Sequence, residues 1–311
     1  MKNKFLVAIV LSLLFIIPSC QKDLPFPLDQ VKKGVLIDVV RVAGTDGILS
    51  DGETTGNYKI KLTIPSEQGD YSSMKNAQLL AVLKNTDGTY SSKVVLDNLT
   101  EFPQVIQLDI ANIYSQFGLE APELGQILFL TTNIVMNDGS VIPGWTSLTS
   151  FNNNDFAGWL VDGRTYSSNV AYAVACPLVL DDFVGTFYVT LDEWWGEEPY
   201  PVEITKISDT QLSIANLFNS IADDFEDEVN PLVITIDPTD HSISFTRQIL
   251  VPNSAELWWG NTTYTNFALT SGKGTINSCD LSISFSATAT VDLPSGTGSF
   301  GTVSFVIEKN P

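Results

Sequence analysis

Two Trp-Trp-Gly triplets, Trp194-Trp195-Gly196 and Trp258-Trp259-Gly260, are the most distinctive chemical groups in the chain. Adjacent side chains on a strand point to opposite faces, so each pair can bury one indole and turn the other outward. An outward indole is a flat apolar platform with a donor at its edge, a shape that suits the C–H face of a sugar ring. Asp192, Glu193, Glu197, Glu198, Glu256 and Asn261 stand alongside, able to accept or share hydrogen bonds with hydroxyls. The competing reading makes both pairs ordinary core and rim, since tryptophan is mostly buried.

Other candidate chemistry is thinner. The single histidine, His241, follows Asp237-Pro238-Thr239-Asp240, a turn by composition, so a solvated ring is expected. No second histidine exists to complete a common metal site. Asp223, Asp224, Glu226, Asp227 and Glu228 could offer oxygens to calcium, but the EF-hand spacing and its glycine are missing, and a solvated loop is expected. Gly296-Thr297-Gly298-Ser299-Phe300-Gly301 fits the dinucleotide glycine pattern in letters alone. That chemistry needs a helix N-terminus after the glycines. Thr302 to Ile307 reads instead as a strand, so a hairpin turn is expected and neither cofactor nor metal is implied. Gly139-Ser140 and Gly298-Ser299 do not supply a nucleophile elbow. A glycosidase needs two carboxylates about 5–9 Å apart, and 36 acidic residues provide nearby pairs by chance. A hydrolase stays a third alternative with no residues to anchor it.

Charge excludes a large class of partners. Lys and Arg number 16 against 36 Asp and Glu, a formal net charge of −20. Such a surface repels phosphate backbones, so nucleic acid is not expected as a partner.

The elements that must hold these side chains are strands. At roughly 100–200 residues per domain, 311 residues suggest two domains. Tyr58 to Ile64 alternates apolar and polar, as do Leu281, Ile283 and Phe285 among serines and the Ile243/Phe245 pair. Further strands are expected near 35–43, 78–84, 92–97, 104–108, 126–136 and 165–175, then near 183–191, 202–207, 210–216, 232–236, 263–270 and 302–307. Asp46-Gly47, Asp51-Gly52, Asp87-Gly88, Asp138-Gly139 and Asp162-Gly163 mark turns between them. Leu108, Ile110, Ile113 and Phe117 share one face of a short helix closed by Gly118. Residues 146–164, with Asn152-Asn153-Asn154-Asp155, read as a loop. The fold class is all-β. An immunoglobulin- or fibronectin-like sandwich over 34–175 precedes an antiparallel up-and-down barrel or small sandwich over 176–311.

Before these lies a targeting segment. Lys2 and Lys4 precede an apolar run from Phe5 to Ile17, broken only by Ser12. At about 13 residues the run is shorter than the ~20 needed to cross a bilayer, and it fits a signal peptide over 1–19. Ile17-Pro18-Ser19-Cys20 resembles a lipoprotein signal, although Pro18 replaces the usual small residue. The resemblance implies acylation of Cys20 and a tether over 20–33, stiffened by Pro25 and Pro27. With Cys20 acylated, Cys176 and Cys279 remain, and export favours a disulfide between them. Two buried free thiols are the alternative.

Gln21-Lys22-Asp23 is similar to the polar start of surface-exposed Bacteroidota lipoproteins. Gly34 to Val39, the Asn57 to Ile64 strand, the helix before Phe117-Gly118-Leu119, and Ala175-Cys176-Pro177 followed by Phe183 to Val189 resemble accessory lipoproteins of starch-utilisation-type glycan uptake systems. That resemblance implies an outer-membrane, cell-surface setting, a glycan partner, and a transporter or sister lipoproteins nearby. It carries no catalytic residues. The leading expectation is a non-enzymatic glycan-binding lipoprotein, and the runner-up is a structural or protein-interaction module.

Overall fold

A computed structural model describes residues 37–311 apart from 67–70, 153–159, 162–163, 195–198, 219–228, 253–262 and residue 311. The signal segment, Cys20 and the tether lie outside these residues. Among the described residues, no helix is long and apolar enough to cross a membrane.

The first half is a sandwich. Asp38–Arg41 (β1), Ile48–Ser50 (β2), Lys59–Thr63 (β3), Met74–Lys84 (β4), Tyr90–Leu99 (β5) and Gln104–Gln107 (β6) lead into the helix Ile110–Gln116 (α1). Ile127–Met136 (β7) and Val141–Ile142 (β8) follow. Asp109 caps α1 by accepting from the Asn112 amide at 2.9 Å, and Gly118 beyond it sits at φ +80°, as a helix terminator should. In β3, Ile60 and Leu62 are fully buried while the residues between them face out, which is the alternation expected of a half-buried strand.

The segment expected to be a loop carries short paired strands instead: Trp145–Thr146 (β9) with Ser150–Phe151 (β10), and Leu160–Val161 (β11) with Arg164–Thr165 (β12). Ring pairs hold the first of these hairpins to the sheet, Trp145 on Tyr90 at 6.1 Å and Phe151 on Phe129 at 4.9 Å. Asn169–Ala175 (β13) ends the set. A three-stranded sheet, β1-β3-β6, faces a larger one ordered β2-β13-β7-β4-β5. Between them lie Val39, Ile60, Leu62, Leu79, Leu128, Tyr172 and their neighbours.

The second half is a closed barrel. A 3-10 turn at Leu180–Phe183 opens it, followed by Gly185–Asp192 (β14), Tyr200–Ser208 (β15), Gln211–Ala215 (β16) and Leu232–Asp237 (β17). Ser242–Phe245 (β18), Gln248–Val251 (β19), Thr265–Asn277 (β20), Ser282–Leu293 (β21) and Gly296–Glu308 (β22) complete it. Successive strands pair antiparallel except β18 and β19, which lie end to end along β20, and β22 returns to β14. The pairing of β18 with β20 closes the sheet into an up-and-down barrel. Its interior is packed: Phe187, Ile204, Ile214, Leu269, Ile283 and Phe305 are all nearly inaccessible.

Every strand pairing among the described residues stays within 38–175 or within 185–308. Three links nevertheless join the two sets of strands. Cys176 is bonded to Cys279, with Cα atoms 5.2 Å apart. The Gly47 amide donates to the Thr239 carbonyl at 2.7 Å, and Arg41 pairs with Asp240 at 3.6 Å. All three reach hairpins at one end of the barrel, the β17–β18 and β20–β21 connections. His241 belongs to this joint and is only 9% exposed, contrary to the solvated ring expected from its turn. Its backbone sits at φ +56° and its carbonyl accepts from Ile276, so the turn folds back onto the barrel.

Candidate functional site

The opposite end of the barrel holds Trp194, Asp192 and Glu193. Strands β14, β16, β19 and β21 end there and β15, β17, β20 and β22 begin there, because strand direction alternates around the sheet. In sequence, the stretches between these strands contain both Trp-Trp-Gly triplets and the acidic run. Trp195, Glu197, Glu198, Glu256, Trp258, Trp259, Asn261 and residues 223–228 lie outside the described residues. Trp194, Asp192 and Glu193 lie within them.

An irregularity in β14 decides where these three go. Val189 pairs with Ile307 and Leu191 with Val306, so Thr190 is an extra residue in the ladder. The bulge reverses the alternation: Leu191 faces out at 37% exposure, and Asp192 turns inward at 1%. There its carboxylate accepts the Tyr200 hydroxyl at 2.7 Å and the Trp194 amide at 2.9 Å. Asp192 was expected beside a sugar; its geometry assigns it to the turn. Glu193 is exposed, yet it also serves the frame. It donates from its amide to the Ser304 carbonyl at 3.1 Å, and its side chain accepts the Ser304 amide at 2.8 Å.

Held on both sides, Trp194 is half-buried and lies among rings. Phe267 is 5.3 Å away and Phe300 5.4 Å, the latter edge-on. Tyr264 stands 6.1 Å from Phe300, also edge-on. Beneath them the buried Phe218 packs against Phe267 and Phe305. Phe218 adopts φ +72°, a strained conformation for a bulky residue, of order 1–3 kcal/mol, that this packing sustains.

Phe300 was missed in the sequence, where its glycine-rich surroundings read as a turn. The turn is only Pro294-Ser295, and β22 runs from Gly296. Ala289 pairs with Gly301 and Thr290 with Ser299, leaving Phe300 as a second bulge residue, 39% exposed and aimed at Trp194. Gly301 supports it at φ +100°, a region open to glycine and strained for other residues. An aromatic residue inside a glycine run was the signal available. Tyr264 and Phe267 had none, since each looks like an ordinary strand residue.

The rim therefore presents an aromatic cluster of partly accessible rings, Trp194, Tyr264 and Phe300, on a buried Phe and Asp–Tyr foundation. Such a cluster can stack on apolar ring faces of a ligand. Among the described residues, no group of three or more His, Cys, Asp or Glu is placed to hold a metal ion. No protein-family model, curated protein or solved structure matches the chain.

Proposed function

We propose that this chain is a non-enzymatic, lipid-anchored protein of the outer cell surface that binds glycan at the aromatic rim of its barrel, as an accessory to a polysaccharide uptake system. The observation that carries the reading is the Trp194–Phe300–Tyr264 cluster, raised by two bulges at the end of a barrel whose described interior is lined by buried apolar side chains. The acylation signal ending at Cys20 and the acidic surface support the location and argue against nucleic acid.

Affinity electrophoresis in gels containing neutral polysaccharides tests it. Truncating an anchoring aromatic commonly costs over about 2 kcal/mol, roughly thirtyfold in affinity. Trp194→Ala and Phe300→Ala should each abolish retardation while keeping the wild-type circular dichroism spectrum. Unchanged retardation in both folded variants moves the ligand elsewhere.

One observation favours an interaction module instead. Leu148, at the tip of the β9–β10 hairpin, is 94% exposed on a turn braced by the 2.6 Å hydrogen bond between the Thr146 and Thr149 hydroxyls. Loss of a co-purifying partner in Leu148→Ser, with no glycan bound by the wild type, would favour that reading.

A further inference from the structure

The outer wall of the barrel over β18, β20, β21 and β22 is lined in register by small hydroxyl side chains. Thr270 pairs with Thr288, which pairs with Thr302, giving one row across three strands. Ser244, Lys273, Ser286 and Ser304 form the next row, and Ser242, Thr275 and Ser284 the one after, which Val306 completes on β22. Their inward neighbours Ile243, Ile276, Ile283, Phe285 and Val303 are buried, so alternation turns the hydroxyls outward. Thr275 and Ser284 lie within hydrogen-bonding distance of each other at 3.3 Å. Lys273 is the single charged side chain in these rows, on a chain of net charge −20. The wall across the barrel differs: β15 carries Glu203 and Lys206, and Lys206 pairs with Asp181 and Asp209.

We infer that this wall is the extension of the rim site and binds a long, uncharged polysaccharide chain; the inference rests on the rim reading above. Three properties point to that occupant. The wall adjoins the rim, because Thr302 follows Phe300 by two positions on β22. Hydroxyls both donate and accept, so side chains about 4.8 Å apart within a row, in rows about 6.7 Å apart, can match a polymer of hydroxyls in several registers. A neutral partner brings no ion to desolvate, whereas a polyanion meets the repulsive field of the whole chain. Serine and threonine also suit an exposed strand for local reasons alone. That bland account predicts no dependence of binding on these positions, and the two accounts separate on that point.

The experiment compares soluble neutral glucan, mannan and xyloglucan with their short oligosaccharides, and with polygalacturonate, on the full ectodomain. Two pairs of substitutions address the wall. Ser286→Glu with Thr288→Glu obstructs it; Ser244→Ala with Ser286→Ala removes hydroxyls at exposed or half-buried positions that tolerate the change. Thermal unfolding checks that both remain folded. Polymer affinity should fall about tenfold or more in the obstructed protein and measurably in the alanine pair. The affinity for the short oligosaccharide at the rim should stay at the wild-type level. Wild-type polymer affinity in both folded pairs overturns the wall and leaves the rim reading standing. Polygalacturonate binding as tightly as the neutral polymers overturns the ligand class. A wild-type protein that binds neither polymer nor oligosaccharide overturns the rim reading, and this inference falls with it.

Discussion

The Asp192 carboxylate accepts the Tyr200 hydroxyl at 2.7 Å inside the barrel rim, at a place that uninterrupted alternation along β14 would give to Leu191. The same carboxylate holds the Trp194 amide, so one buried acid ties the start of β15 to the ring that leads the aromatic cluster. Its removal should therefore register in both stability and binding.

Asp192→Ala removes the carboxylate that accepts from the buried Tyr200 hydroxyl and the Trp194 amide. The expected cost is about 1–3 kcal/mol, read from urea unfolding. Tyr200→Phe alone should cost less. The double variant should cost less than the two singles added, since both singles break the same hydrogen bond. Strict additivity would mean that the two side chains do not act as a unit.

How much of this was legible follows from which interactions are local. Period-two alternation marked β3, β18 and β21 because a half-buried strand writes its burial into neighbouring residues. The short helix closed by Gly118 was equally local in its apolar face and its stop, while its Asp109 cap was not read. Bulges are not local in this way. Thr190 and Phe300 look like any strand residues, and only the partner strand shows that each is one too many. Asp192 consequently read as a neighbour of an exposed indole, and Phe300 as part of a turn. His241 failed for a related reason: a turn composition does not reveal that its carbonyl will take the Ile276 amide and fold the turn back onto the barrel. The β9–β10 hairpin was hidden because Trp145 and Phe151 find their partners, Tyr90 and Phe129, far away in sequence.

The Cys176–Cys279 bond closes a separation of 103 residues. Loop-closure entropy for that length is worth up to about 4–5 kcal/mol, so Cys279→Ser should lower the urea midpoint sharply. Alkylation of exported protein without reduction should label neither thiol, and labelling of both would show that the pair is open.

Acylation of Cys20 should decide location. Cys20→Ser protein should leave the membrane fraction or remain uncleaved, and mass spectrometry of the mature wild type should find a diacyl or triacyl N-terminal cysteine. An unmodified mature Cys20 would remove the anchor from the proposed function.

Stability should fall with pH in two separate windows. Burial lowers the His241 pKa from its ordinary 6.5, with Asp240 opposing the shift. Above 6.5 the ring is neutral folded and unfolded alike. As pH drops below that value the unfolded chain takes up the proton first, and folding weakens until the folded ring titrates too. His241→Gln should flatten this part of the curve. The second window lies lower. Hydrogen bonds from the Thr239 hydroxyl and amide depress Asp237 below its ordinary 3.8. Its contribution is present above that value and is lost as pH falls through the depressed one, so Asp237→Asn should alter only the acid limb. A histidine variant that keeps the wild-type slope as pH falls below 6.5 would mean the ring is not held neutral.

The bulge at Phe300 gives the most direct test of how the rim is built. Gly301 sits at φ +100°, and a Cβ there would meet no atom within 4 Å, so replacement by alanine acts through the backbone alone. Holding alanine in that region costs about 1–3 kcal/mol. The chain can relieve the strain by shifting the ladder one position between Ala289 and Thr290, which turns neighbouring side chains to the other face. Gly301→Ala should therefore lower stability and also weaken the Trp194–Phe300 contact, seen as lost cross-relaxation between their ring protons. Gly139 provides the control. It has φ +83° at a hairpin of the sandwich, again with nothing within 4 Å, so Gly139→Ala should carry a similar backbone cost and leave the Trp194–Phe300 signals intact. If both variants lose stability and both keep those signals, the bulge is not what aims Phe300. If only Gly301→Ala loses the signals along with oligosaccharide binding, the glycine run once read as a turn is the element that positions the site.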